Sequence, residues 1–427
     1  VPAEALLASL REVVARFGTP TYAYDCDRLR RRVEQLHESL PSRVDLLYSL
    51  KANASLGLCG LIARCGLGAD VASEGELLTA LEAGFSVERV QVGGPYLTSE
   101  VLARLEALPG ALVSVDSPWQ LRRLSRQHHA QPAILRLRPD SSSAAAAASG
   151  ETARFGLPFE DLALCEPDLK GTGVTVVGFH VYSGSQVLAA EEVIRRLRAG
   201  LDLCERAARR LGIEPKILNL GGGFGVPYGR DDSELDLAAI GREMRTLVER
   251  ARPAKIVLEL GRYLVAQAGW YLVTVVGLQT VRGRPAVVVD GGVHQFSDLC
   301  GLGRRFRGVP PVVLGSTDRM TVATDVLGSL CLPDDVLAES CPLPPLAPGD
   351  VLAFPNAGAY GFTAAPYRFL GHPACAEVAF TDGEVDLLRA REPVRALLAG
   401  QACPSLGAPG INPQEVARAL PPATPQQ

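Results

Sequence analysis

The chain has 427 residues, longer than one ordinary domain, and suits two. Its apolar content of 47% supplies a sizeable core, and 43 basic and 47 acidic residues are well mixed, with a net charge of -4. That balance excludes a basic nucleic-acid-binding stripe and an acidic solvating tail.

The chain opens with VPAEALLASLREVV, whose charges interrupt the apolar stretch, so it does not read as a secretory signal. Ten cysteines (Cys26, Cys59, Cys65, Cys165, Cys204, Cys300, Cys331, Cys341, Cys375, Cys403) are scattered, with no C-x-x-C pair. This spacing fits neither a zinc site nor a disulfide framework. The expectation is reduced thiols, no metal and a cytoplasmic protein.

From about Val44 to Arg262, eight short apolar runs alternate with helical patterns. The runs are VDLLYSL, LGADV, RVQVG, ALVSV, AILRL, VTVVGFHV, KILNL and IVLEL. Between them lie amphipathic stretches such as EVIRRLRAGLDLCERAARRLG, closed by a glycine. Eight strands with helical crossovers predict a parallel sheet, and eight is the number that closes a (β/α)8 barrel. Within this region DSSSAAAAASG, starting at Asp140, is low-complexity.

After Arg262 the strand-like runs WYLVTVVGLQTV, PAVVVDGG, PPVVLG, DVLAFP and AEVAFTDGEVDLL are separated by Gly, Pro and Asp, which predicts an all-β second domain. The early run TPTYAYD is also strand-like and could join it. Tyr263 to Val281 is about long enough to span a bilayer. It contains Gln267, Thr274, Gln279 and two glycines, so it reads as a buried strand pair. The expected division is a barrel over 28–262, a β-domain over 1–27 and 263–400, and a loose proline-rich tail over 401–427.

Chemistry in such barrels sits at the C-terminal strand ends. The residues there are Lys51, Asp70, Gly93, Asp116, Arg136, His180, Gly221 to Gly223 and Glu259. Lys51 ends a buried strand, where desolvation favours the neutral amine that bonds an aldehyde; the alternative is a rim lysine reaching solvent. Three glycines after KILNL let backbone N–H groups approach an oxyanion, or form a plain turn. This is neither a dinucleotide fingerprint, because Val226 replaces the last glycine, nor a Walker loop. Glu259 either pairs with Arg262 or meets a protonated ring nitrogen.

With these residues in place, the chain resembles the fold-type III pyridoxal-phosphate decarboxylases, which include the diaminopimelate and ornithine/arginine decarboxylases. The motifs YSLKANAS, LGADVASEGELLTALEAGF, GFHVYSGSQ, LNLGGGFGVPY, LELGRY, VVVDGG, CLPDDVLA and NAGAYGF carry the resemblance over nearly the whole chain. It implies pyridoxal 5'-phosphate (PLP) bound covalently to Lys51. It also implies a phosphate held by Gly221, Gly222, Gly223, Ser185, Tyr360 and the backbone near Gly261 and Arg262. Glu259 is implied at the pyridine nitrogen, with Asp70, Arg136 and His180 around the ring. Cys331 falls where the family has a proton-donating cysteine, supplied across a homodimer interface.

Three departures stand out. Leu332 and Pro333 follow Cys331, where the diamine-cleaving enzymes have an acidic residue for the distal amine; Asp335 remains nearby and is a candidate substrate contact. Tyr182 replaces the ring-stacking histidine, and YRFLGHPACAEV replaces an arginine-containing segment. Together with VVVDGGVHQF these features look like a secondary-metabolism subfamily acting on carrier-tethered glutamate or on the siderophore precursor citryl-diaminopropionate. His294 and His372 become candidate substrate contacts, or loop histidines with structural bonds. The expected function is α-decarboxylation of a conjugated amino acid. The alternative substrate is diaminopimelate or another free diamino acid. A racemase is disfavoured by Glu259, which stands where racemases place an arginine. A non-catalytic homologue is disfavoured by the retained Lys51, glycines, Glu259 and Cys331, and a lone-barrel PLP-homeostasis protein by the β-domain.

Overall fold

The computed structural model describes residues 4–139, 154–170, 173–229, 231–296, 310–315, 320–381 and 383–402. The DSSSAAAAASG run, Cys300, Cys403 and the tail from 403 lie outside the described residues.

The eight predicted runs form one closed parallel barrel, paired in chain order. Its strands are β2 (Val44–Ser49), β3 (Gly68–Val71), β4 (Val90–Val92), β5 (Leu112–Val115), β6 (Gln131–Leu137), β7 (Val174–Val181), β8 (Ile217–Gly222) and β9 (Lys255–Leu260). β9 closes on β2 from Val44↔Ile256 to Tyr48↔Leu260. Side-chain caps start several outer helices. Asp25 accepts from Arg28 N, Ser73 from Glu76 N and Asp236 from Ala239 N. Each bond satisfies a donor that the first helical turn leaves free.

Among the described residues the second domain is a nine-stranded sheet. β1 (Thr21–Asp25) lies between β10 (Gly269–Val281), antiparallel, and β16 (Ala376–Thr381), parallel. The N-terminal strand therefore belongs to the C-terminal domain, as expected. The opening stretch is the helix Glu4–Phe17, whose Leu10 and Val13 are buried with Trp270, Leu272 and Phe380.

The apolar run after Arg262 is not a strand pair. It is a helical turn, Arg262–Val265, followed by one 13-residue strand, β10. β10 pairs with β15 (Val351–Phe354) over Tyr271–Thr274 and with β11 (Arg284–Val289) over Val275–Val281, the latter pairing carrying a register shift between Val275 and Gly277. Among the described residues no helix is long and apolar enough to cross a membrane.

The β-domain also delivers a loop to the barrel mouth. After β15, the Tyr360 N–H donates to the Ala52 carbonyl at 2.6 Å, one residue beyond Lys51.

Candidate active site

A polar layer crosses the barrel near the C-terminal strand ends. Glu259 accepts from the Gln91 amide and from Asn219 Nδ2 at 2.7 Å, and His180 Nε2 stands 3.4 Å away. All three fall on Oε1, which leaves Oε2 for the cavity that Glu259 lines. Asn219 Nδ2 also donates to Gln91 Oε1 at 2.7 Å, so the side chains aiming Glu259 are themselves fixed. Arg262 does not take Glu259 as its partner. It donates to Tyr228 OH at 2.9 Å and stacks on Tyr360 at 4.6 Å.

His180 is buried, with Nδ1 at 2.8 Å from Ser114 Oγ. Burial, then the charge of Arg136, holds its imidazole well below the usual range, so it is neutral. Its Nε2 is a buried nitrogen without a hydrogen-bond partner. Arg136 itself turns outward to Asp116 (3.3 Å) and lies under Phe155 (5.1 Å) and Tyr182 (5.8 Å).

Lys51 follows β2 in a single 3-10 turn, Leu50–Ala52. Its Nζ stands 5.6 Å over the Tyr182 ring. The expectation of a neutral amine is corrected here. Desolvation does pull the ammonium down, but Lys51 as a residue is exposed, and Asp70 and then Tyr360, Tyr182 and Glu259 outweigh that pull, so the lysine titrates above its usual range. Asp70 accepts from Ser49 Oγ at 2.9 Å. Burial pushes its carboxyl up to about 6, with Glu259 adding to the shift and Lys51 opposing it.

The glycine run ends β8 as a cradle. Gly223 has φ +77, and a Cβ there would lie 2.0 Å from the Gly184 carbonyl oxygen. Only glycine lets this loop close on the loop after β7, where Val187 N donates to Gly223 O at 2.9 Å. Ser49, Lys51, Tyr182, Ser185, Gly223, Glu259, Gly261, Arg262 and Tyr360 are among the residues lining one cavity at the strand ends. A carboxylate oxygen at the floor, an amine at the wall, a free imidazole nitrogen and a tight glycine cradle at the mouth fit a phosphorylated pyridine aldehyde.

The Cys331 turn belongs to a separate region, between β13 (Val322–Leu327) and β14 (Val336–Leu343). Cys331 is exposed and absent from the cavity lining. Asp335, expected to face substrate, is buried instead. Its carboxylate accepts from Val293 N and Leu330 N, both at 2.7 Å, and braces the turn. His294 is fully buried, and the ring of the half-buried His372 lies 4.5 Å away. Burial and His372 pull His294 down to about 4, so it is neutral.

Sequence reasoning missed Gln91, Ser114 and Asn219. All three are polar residues inside runs predicted as buried strands, and that position was the available signal.

The family model for the pyridoxal-dependent decarboxylases, pyridoxal binding domain, matches residues 26–266. The chain is 32% identical to the L-glutamyl-(BtrI acyl-carrier protein) decarboxylase of Niallia circulans, covering 92% of this chain and 96% of that protein. It is 30% identical to the diaminopimelate decarboxylase of Methanothermobacter thermautotrophicus, covering 92% and 94%. A crystal structure of AQ1208 from Aquifex aeolicus superposes with a TM-score of 0.82 at 27% identity, covering 91% and 93%.

Proposed function

The chain belongs to the pyridoxal-dependent decarboxylases, and from that premise we propose that it removes the α-carboxylate of an amino acid whose far end is conjugated rather than a free ammonium. It is a PLP-dependent amino acid decarboxylase. Bound PLP supplies a ring that accepts the electron pair left behind as CO₂ departs. Lys51 would hold the cofactor through its side-chain nitrogen. As an ammonium it must first shed a proton, and the nearby Asp70 carboxylate opposes that loss. Glu259 Oε2 keeps a proton on the pyridine nitrogen, while neutral His180 adds no competing charge at that floor. Gly221, Gly222, Gly223, Ser185, Gly261, Arg262 and Tyr360 receive the phosphate.

Cys331 from a second copy of the chain protonates the reacting carbon. The outward thiol, lying outside its own chain's cavity lining, supports this division of labour.

The observation that carries the substrate proposal is the Cys331 turn. It presents Leu332 and Pro333 to solvent, and its buried acid, Asp335, is occupied by two backbone N–H groups. A distal ammonium brought against Leu332 and Pro333 would be desolvated with no partner from either, and Asp335 is already occupied. An amide, thioester or carboxylate avoids that cost, and the His372 imidazole offers it a donor. The relative acting on a carrier-bound glutamyl group favours this reading. The diaminopimelate decarboxylases at similar identity favour a free diamino acid as the second.

The test is kcat/KM for citryl-diaminopropionate and a glutamyl-carrier thioester against free diaminopimelate, lysine, ornithine and arginine. A conjugated substrate is expected to lead. Diaminopimelate or ornithine in first place would overturn the proposal and turn attention to Asp334, the exposed carboxylate of the turn.

A further inference from the structure

Glu377 on β16 is fully buried, in the sheet that packs beside the barrel. A carboxylate in such a place costs desolvation energy, and a buried ion pair returns little net stability, so its presence calls for another reason. Its donors are Arg389 Nε, on the neighbouring strand β17 (Glu384–Arg389), and Tyr24 OH at 2.7 Å. Arg389 is partly exposed, whereas Tyr24 is fully buried.

The charge fixes the direction of every bond beyond it. An ionised carboxylate only accepts, so Tyr24 must donate to Glu377, and its oxygen is then free to accept. It accepts from Asn53 Nδ2 at 3.0 Å. The same amide nitrogen donates to the Gly358 carbonyl at 3.0 Å, and Asn53 Oδ1 accepts from Ser55 N at 3.0 Å. The Asn53 carbonyl is held by Tyr48 OH at 2.8 Å. Asn53 lies two residues after Lys51, and Gly358 two residues before Tyr360. One side chain thus joins the barrel turn carrying Lys51 to the β-domain loop carrying Tyr360.

We infer that Glu377 is a positioning residue that acts through Tyr24 and Asn53 to set where Lys51 stands against the cofactor. The inference rests on the proposed role of Lys51. Reversing the polarity at Glu377 would reverse the preferred donor at Tyr24 and turn the Asn53 amide against Ser55 N–H. A glutamine has one carbonyl oxygen, which can serve Tyr24 or Arg389 but not both. The fit around Lys51 loosens, while the glycine cradle after β8, built by other elements, stays.

The experiment compares wild-type holoenzyme with Glu377→Gln and with Tyr24→Phe, which removes only the hydroxyl and keeps the ring. Borohydride trapping in the wild type comes first. Label on a residue other than Lys51 defeats the underlying reading and the inference with it. With label on Lys51, both variants are expected to shift the pH midpoint of the bound-cofactor absorbance. They should also release cofactor to hydroxylamine faster. By the worth of a hydrogen bond to a charged group, kcat should fall roughly tenfold with KM nearly unchanged. A purely structural role would lower the melting temperature and leave the absorbance midpoint in place. That result in Tyr24→Phe overturns the inference, whether or not Glu377→Gln folds.

Discussion

In the proposed function the barrel floor around Glu259 and the turn around Cys331 both carry chemistry, but only the floor is completed by its own chain. At the floor each side chain that matters is held by another: Asn219 and Gln91 aim Glu259, Ser114 meets His180, and Ser49 meets Asp70. At the turn the backbone is braced by Asp335 from beneath, while Cys331 and Leu332 project into solvent. Preorganised groups stabilise charge without reorganising during the reaction, which suits the electron-accepting side of a decarboxylase. An outward, rigid turn suits a surface that is finished by something else.

Perturbing the floor should have the largest effect. Lys51→Ala is expected to abolish turnover and the borohydride-fixed label, with some PLP retained through the phosphate cradle; label persisting on another lysine would move the anchor elsewhere. Glu259→Gln should keep fold and PLP but lose about 10²–10³ in rate, the usual cost of one such electrostatic element. Undiminished turnover would mean that another group sets the ring charge.

A smaller effect is expected behind the turn. Folded His294 titrates at about 4, below the ordinary histidine range. The folded state therefore binds fewer protons than the unfolded state between roughly pH 6.5 and 4, and stability is lost as pH falls through that window. His294→Asn should remove up to about 2 kcal/mol of that loss, allowing for solvent screening. His180 contributes in the same sense and persists in the variant. Urea midpoints at pH 7 and 4.5 check this, and an unchanged difference would mean that His294 is solvated.

The floor was also the more legible region in the sequence. Barrel strands read as apolar runs, their ends locate Lys51, Asp70, His180, the glycines and Glu259, and all eight close in chain order. What the runs conceal is their own polar members: Gln91, Ser114 and Asn219 matter because partners from other strands meet them across the barrel, and no local pattern encodes that. The protonation of Lys51 was misjudged for the same reason, since desolvation is readable at a strand end but the opposing carboxylate of Asp70 comes from the next strand. At the turn, Asp335 is near Cys331 in sequence, which makes it a candidate substrate contact but leaves its direction open. Its inward rotation depends on Val293, 42 residues earlier in the chain.

The division between floor and turn is tested most directly by mixing inactive variants. Lys51→Ala and Cys331→Ala are each expected to be inactive or severely slowed, the latter by about 10²–10⁴, the usual share of general acid catalysis. After subunit exchange, a symmetric dimer with shared sites regenerates one intact site in each hybrid, or about a quarter of wild-type activity in an equal mixture. Recovery of that order supports a floor from one copy completed by Cys331 from another. No recovery after exchange has been proven by mass would place both residues in one chain's site and contradict the account.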